Sequence, residues 1–210
     1  ERTVEGNALR ELRTLPQVLA GVCKKSSQMT EELFKRITPT TIELATLEEA
    51  ELIKLMNNSF RDLVFSFANE VANICDGFNV DAFRVIEAAN EGYPRDRIPM
   101  PSPGVGGICL SKDPYLFSEP AQDVGYTPLL GRTSRDINDQ TIKRLAKKME
   151  TFAAQSGKKI EDCTVYVIGL AFKGMPETSD IRNSTSIALL NDLTGPKSIR
   201  AKDFVIPDDT

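Results

Sequence analysis

Apolar side chains recur at helical spacing from Thr46 to Gly77, and Thr46 with Glu49 has the spacing of a capping box at the start of that stretch. The pattern predicts one helix of about eight turns. Its apolar positions, among them Leu52, Met56, Phe60, Phe67, Val71 and Ile74, cover more than a narrow stripe, so the helix is expected to be buried on several sides. A polar seam nevertheless descends it through Glu51, Lys54, Asn58, Asp62, Asn69 and Asn73. On a helix otherwise so apolar, the seam reads as the lining of a cleft.

Shorter helices are predicted from Asn7 to about Arg13 and from Asn79, as cap, to Glu91, where Gly92 and Pro94 end the pattern. The segment from Gly92 to Gly107 is crowded with prolines and glycines and is expected to be a structured loop, neither helix nor central strand. A helix rich in Lys and Arg follows from near Arg135 to Ser156, with Gly157 as its stop. The period then changes. Cys163 to Gly169 is a β-branched run closed by glycine, a helix from about Ser184 to Leu193 comes next, and Ile199 to Ile206 offers one weak strand. That order is the opening βα unit of a parallel sheet, with too few strands after it to complete one.

Composition sharpens the class. The 210 residues are 40% hydrophobic and 27% charged, which suits a globular chain with one core and part of another. Lys plus Arg number 26 against 30 for Asp plus Glu, a net charge of −4 without a basic block, so a broad nucleic-acid footprint is not expected. No apolar run is long enough to span a bilayer and no signal pattern opens the chain, and a soluble, cytoplasmic protein is expected. Histidine is absent, so acid–base work in this chain falls to Lys, Asp, Glu or Cys. Cys23, Cys75, Cys109 and Cys163 are widely spaced with no CxxC, which argues against a zinc knuckle or a redox dithiol, and no metal site is expected.

Cys109 has the most suggestive surroundings. It follows Gly104, Gly106 and Gly107, where backbone can approach a ligand closely, and Lys112 beside it could raise its thiolate fraction. A buried cysteine in a turn is the plainer reading. Lys54 and Asn58, four apart, share a helix face and suit stabilisation of an oxyanion, or else they are an exposed polar face. Asp113 could position or deprotonate water, or simply open a helix as a favourable charge. Gly169-Leu-Ala-Phe-Lys-Gly174 follows a strand but lacks GxGxxG spacing; Lys173 could still receive a phosphate.

The string from Pro103 to Tyr115, Pro-Gly-Val-Gly-Gly-Ile-Cys-Leu-Ser-Lys-Asp-Pro-Tyr, resembles the catalytic-cysteine signature of the nucleotide-sugar (UDP-glucose/GDP-mannose) 6-dehydrogenase family. Three further segments agree with that family in order and spacing: Glu1 to Gly6; Ala50 to Asn58 running on to Phe60-Arg-Asp-Leu63; and Gly169 to Lys173 with Ser179 to Ser184. The similarity is strongest to the UDP-N-acetylhexosamine branch, the UDP-N-acetyl-D-mannosamine dehydrogenases among it. Ile108 departs from the His usual before the cysteine in that branch, and Ser111 stands where Pro is common.

The resemblance implies a mainly α central dimerisation domain with a long buried helix, spanning residues 1–157 together with the end of an NAD-domain linker. An incomplete α/β Rossmann-like domain that binds the nucleotide sugar is expected over 158–210. It implies a homodimer through the long helix. The implied reaction is NAD-dependent four-electron oxidation of the C6 hydroxyl of a UDP-sugar to a uronate, for glycan precursor synthesis. Cys109 is the implied nucleophile, Lys54 and Asn58 the oxyanion partners, Asp113 and Glu1 the carboxylates of proton transfer and thioester hydrolysis. Gly104, Gly106, Gly107, Arg95 and Lys173 are implied to hold substrate and Arg182 to lie near NAD, whose own domain is expected to be mostly absent from this chain, leaving the chain alone inactive. The alternatives are a single oxidation in the manner of 6-phosphogluconate dehydrogenase, or an inactive dimerisation fragment.

Overall fold

The computed structural model describes residues 3–4, 6–193 and 195–206. In chain order the elements are α1 (Ala8–Thr14), β1 (Gln17–Leu19), α2 (Lys24–Phe34), β2 (Thr41–Glu43), α3 (Leu47–Gly77), α4 (Ala82–Asn90), α5 (Asp113–Ser118), α6 (Leu130–Gln155), β3 (Thr164–Ile168), α7 (Thr185–Asp192) and β4 (Ser198–Lys202). The chain is mainly helical with two small parallel sheets, β1 with β2 and β3 with β4. No described helix is long and apolar enough to cross a membrane.

The long helix starts as its capping box requires. Thr46 Oγ1 accepts from the Glu49 N–H at 3.2 Å, and the Glu49 carboxylate accepts in return from the N–H groups of Thr46 and Ala45. α4 is a correction: Asn79 adopts the left-handed region (φ 54), and Asp81 is the cap, accepting from the Phe83 N–H at 2.9 Å. α6 opens five residues before the expected Arg135, because residues 130–134 continue its turn against α5. Residues 17–43 form a parallel β–α–β unit that the apolar pattern does not announce. Its strands are three residues each, too short for alternation, and α2 is capped through the unusual pair Cys23 and Ser26.

The burial of α3 reverses the expectation drawn from its apolar residues. Leu52, Met56, Phe60, Phe67 and Ile74 stand at least half exposed on the chain, while Ser59, Asp62, Ser66 and Asn69 of the seam side are covered. The cover is α6 together with the glycine-rich segment and α5. The seam is therefore a packing surface as far as Asp62 and Asn69 are concerned, and not an open cleft. On the far side of α6, Leu145 and Met149 pack with Val165, Leu189 and Leu193, so β3 and α7 share the α6 scaffold.

Asp62 is fully buried and accepts hydrogen bonds from Ser134 Oγ (2.8 Å), Arg135 Nη1 (2.8 Å) and Asn138 Nδ2 (2.9 Å). Three donors from one face of α6 compensate a carboxylate that burial alone would make very costly. Removing the cation leaves the anion uncompensated. Arg135→Met is expected to lower unfolding free energy by about 3–5 kcal/mol in urea titration, and a loss below about 1 kcal/mol would show the pair to be dispensable.

Candidate active site

The segment from Ser102 to Asp113 is threaded between α3, α6 and the loop after β3. Gly107 has φ +85, and a Cβ on it would stand 2.7 Å from the Phe172 ring; one on Gly106 would stand 2.3 Å from the Asn183 carbonyl oxygen. A Cβ on Gly104, at φ +95, would stand 2.9 Å from the Asn138 carbonyl oxygen. These glycines admit protein neighbours at contact distance. The Gly107 N–H donates to Asn183 O at 3.2 Å, which joins the segment to the 169–184 loop.

Ser111 contributes where a proline could not. Its hydroxyl donates to Gly107 O at 2.8 Å and accepts from Asn183 Nδ2 at 3.0 Å. The departure from the common proline thus has a structural use.

Cys109 is exposed at the turn leading into α5. Its carbonyl accepts from the N–H groups of Lys112 (3.2 Å) and Asp113 (2.9 Å), so the cysteine and the carboxylate sit on one helical turn. Asp113 is fully buried, and its two oxygens accept from Lys112 Nζ and Asn58 Nδ2, each at 2.6 Å. Its hydrogen bond to Asp113 raises the Lys112 pKa; partial burial opposes that, and the charges of Asp113 and of the Cys109 thiolate add to it. Lys112 is therefore an ammonium ion coupled to both the carboxylate and the cysteine.

The structure thus brings together Cys109, Lys112, Asp113 and Asn58. Lys54 lies one turn before Asn58, half-buried, at the edge of an open groove of about 550 Å³ formed with Leu19, Phe34, Leu47 and Leu55, and makes no hydrogen bond with the cysteine segment among the described residues. Arg95 is distant in its contacts: its guanidinium donates to Tyr93 Oη and lies 5.5 Å from that ring. Lys173 stacks over Phe172, the ring that packs on Gly107. Arg182 forms a bidentate pair with Asp180, next to Asn183. Glu1 lies outside the described residues.

Three residues of this arrangement escape sequence reasoning: Arg135, Asn138 and Asn183. Charged and amide residues on a Lys/Arg-rich helix read as solvated, and Asn183 reveals itself only by its positive φ of 52. Asp62 and Asn69 do carry a signal, as the seam on an apolar helix. Among the described residues no cluster of His, Cys, Asp or Glu could hold a metal ion.

At the end of β4, Asp203 Oδ2 accepts from the N–H groups of Leu170 (2.6 Å) and Ala171 (3.1 Å), and Oδ1 from those of Val205 and Ile206. These bonds, that from Leu170 foremost, hold its pKa down from 3.8 to about 2 and anchor the loop that carries Phe172 and Lys173.

Residues 48–140 match the central domain of the UDP-glucose/GDP-mannose dehydrogenase family. It is through that stretch that the chain is similar to the family. Over 186 residues it is 34% identical to the UDP-N-acetyl-D-mannosamine dehydrogenase of Methanococcus maripaludis, covering 89% of this chain and 42% of that protein. The solved UDP-D-ManNAc dehydrogenase of Pyrococcus horikoshii superposes with a TM-score of 0.89 at 32% identity, over 99% of this chain and 48% of that one. The native structure of the UDP-N-acetyl-mannosamine dehydrogenase of Staphylococcus aureus superposes at 0.79 with 29% identity, over 99% and 47%. The chain spans under half the length of these relatives.

Two outcomes are expected from this geometry. Asn58→Ala leaves one oxygen of buried Asp113 without its donor and should lower stability by about 1–3 kcal/mol in urea titration, whereas Cys109→Ser, at an exposed atom, should stay within about 0.5 kcal/mol. Because the folded pKa of Asp203 is depressed, its contribution is complete above its unfolded pKa of 3.8 and is lost as pH falls towards about 2. The Tm of wild type should therefore exceed that of Asp203→Asn near neutral pH and converge on it between pH 4 and about 2; a gap independent of pH would rule the account out.

Proposed function

We propose that the chain is the cysteine-bearing part of an NAD-dependent UDP-sugar 6-dehydrogenase whose substrate is a UDP-N-acetylhexosamine. The coupling of an exposed Cys109 to the Lys112 ammonium, beside a buried Asp113 held by Asn58, is the observation that supports it most. The similarity to UDP-N-acetyl-D-mannosamine dehydrogenases supports the substrate class. Residues 1–157 act as linker and central domain, and 158–210 as part of a Rossmann-like nucleotide-sugar domain.

Conversion of the C6 alcohol to a carboxylate removes two hydrides. The described residues do not form a dinucleotide site: the loop after β3 lacks GxGxxG, and Asp203, at the strand end where an acid would meet a ribose, is engaged by backbone N–H groups. No step is therefore assigned to this chain through the cofactor. Its own part begins at the aldehyde. The Cys109 thiolate adds to the C6 carbon, and the electron pair of the carbonyl moves to oxygen, where Asn58 and Lys54 stabilise the charge. A bound NAD would accept the C6 hydride of this alkoxide adduct, and a thioester would remain. Water, positioned by Asp113 with Glu1, adds to that carbonyl, the C–S bond breaks, and the thiolate returns with the uronate released. Gly104, Gly106, Gly107, Arg95 and Lys173 hold the substrate, and Arg182 serves the cofactor side.

The exposed face of α3 supports a homodimer, for Phe60 and Phe67, 66% and 50% accessible, stand on one helix with the half-exposed Leu52, Met56 and Ile74. Phe60→Asp together with Phe67→Asp should halve the mass seen by light scattering, and an unchanged mass would place the interface elsewhere.

In the full-length protein two NADH per sugar are expected, and Cys109→Ser should lower kcat more than about a thousandfold. One NADH per sugar, or near-normal uronate formation by the serine variant, would instead support a single oxidation without covalent capture.

A further inference from the structure

Resting on the reading of Cys109 as nucleophile, we infer that Arg135 is its positioning residue, holding the cysteine turn by the backbone carbonyls on either side of it. Arg135 Nη1 lies 3.2 Å from Val105 O and 3.4 Å from Leu110 O, four residues before and one residue after the cysteine. The same nitrogen donates to Asp62 Oδ1 at 2.8 Å, and Nη2 donates to Asp139. The guanidinium is 3% exposed and makes no hydrogen bond with Cys109 itself.

A second arm grips the start of the same segment. Asn138, which donates to Asp62, accepts from Asn69 Nδ2 at 2.9 Å, and Asn69 Oδ1 accepts the Ser102 N–H at 2.8 Å. The segment is thus fixed at Ser102, Val105 and Leu110 by buried groups of α3 and α6, and at Asp113 by Asn58. Between the Val105 and Leu110 anchors Cys109 is the one exposed residue.

The chemistry of the fork explains why arginine is needed. Its planar donors reach two carbonyls and two carboxylates at once, whereas a lysine ammonium can neutralise Asp62 but is a single point charge. Arg135→Lys should therefore preserve the buried pair and release the turn. Release frees the backbone that carries Cys109 between Val105 and Leu110. The charged groups around the turn are Lys112 and Asp113, Asp62 on α3, Asp139 on α6, and Arg182 with Asp180 on the facing loop.

The test is peptide-resolved alkylation of Cys109 by iodoacetamide as a function of pH in the full-length protein, with Tm, kcat and KM measured alongside. Arg135→Lys is expected to change the rate of Cys109 alkylation at a given pH by at least about threefold and to lower kcat by at least about tenfold, with KM for the UDP-sugar within about threefold. Asp139→Ala, which removes a partner on the solvent side, should change the alkylation rate in the same direction by less, and it decides the matter if the lysine variant does not fold. A lowered Tm with an unchanged alkylation profile and kcat would overturn the proposal by making Arg135 structural only. If wild type forms no NADH from UDP-sugars, the functional reading fails while the alkylation profiles still decide the role of Arg135.

Discussion

A carboxylate with no access to water, Asp62, sits at the middle of the longest helix, and much of the structure can be understood from the need to compensate it. The compensation comes from Ser134, Arg135 and Asn138 on one face of α6, which fixes how α6 lies across α3. The same Nη1 that donates to Asp62 also lies within hydrogen-bond distance of the carbonyls of Val105 and Leu110. A single buried pair thereby sets both the helix packing and the path of the cysteine-bearing turn. Replacing such a pair by apolar residues can be neutral for stability, but it would remove the grip on the turn.

Electrostatics divides the site into a fixed part and a free part. Asp113 is immobilised by Asn58 and by Lys112, and the cost of its burial is offset by those two donors. Lys112 reaches outward from this anchor, its side chain about half exposed, with its charge coupled to the cysteine. The glycines let Phe172 and Asn183 approach the turn from the opposite side.

Much of this was legible in the chain because it rests on local rules. The capping box of α3, the stop at Gly157 and the strand–loop–helix order after Cys163 follow from spacing alone. The meeting of Asn58 with Asp113 across 55 residues needed the family resemblance to be anticipated. What was hidden depends on partners far away in sequence. Asp62 and Asn69 look like a cleft lining until α6 covers them, and Arg135 looks like solvated surface until its salt bridge is seen. The apolar face of α3 misled in the other direction, since Leu52, Met56, Phe60, Phe67 and Ile74 stay half exposed while the covered positions are mostly polar. The three-residue strands β1 and β2 carry no readable period at all.

The most direct test of the central claim, that Cys109 bonds to the substrate during turnover, is peptide-mapped mass spectrometry of the full-length protein quenched in acid while it oxidises a UDP-N-acetylhexosamine. The account predicts a sugar-nucleotide adduct on the peptide carrying Cys109, lower in mass by two hydrogens than the simple aldehyde adduct when the thioester accumulates. Two NADH formed per sugar with no adduct on Cys109, or an adduct confined to Cys23 or Cys163, would contradict it.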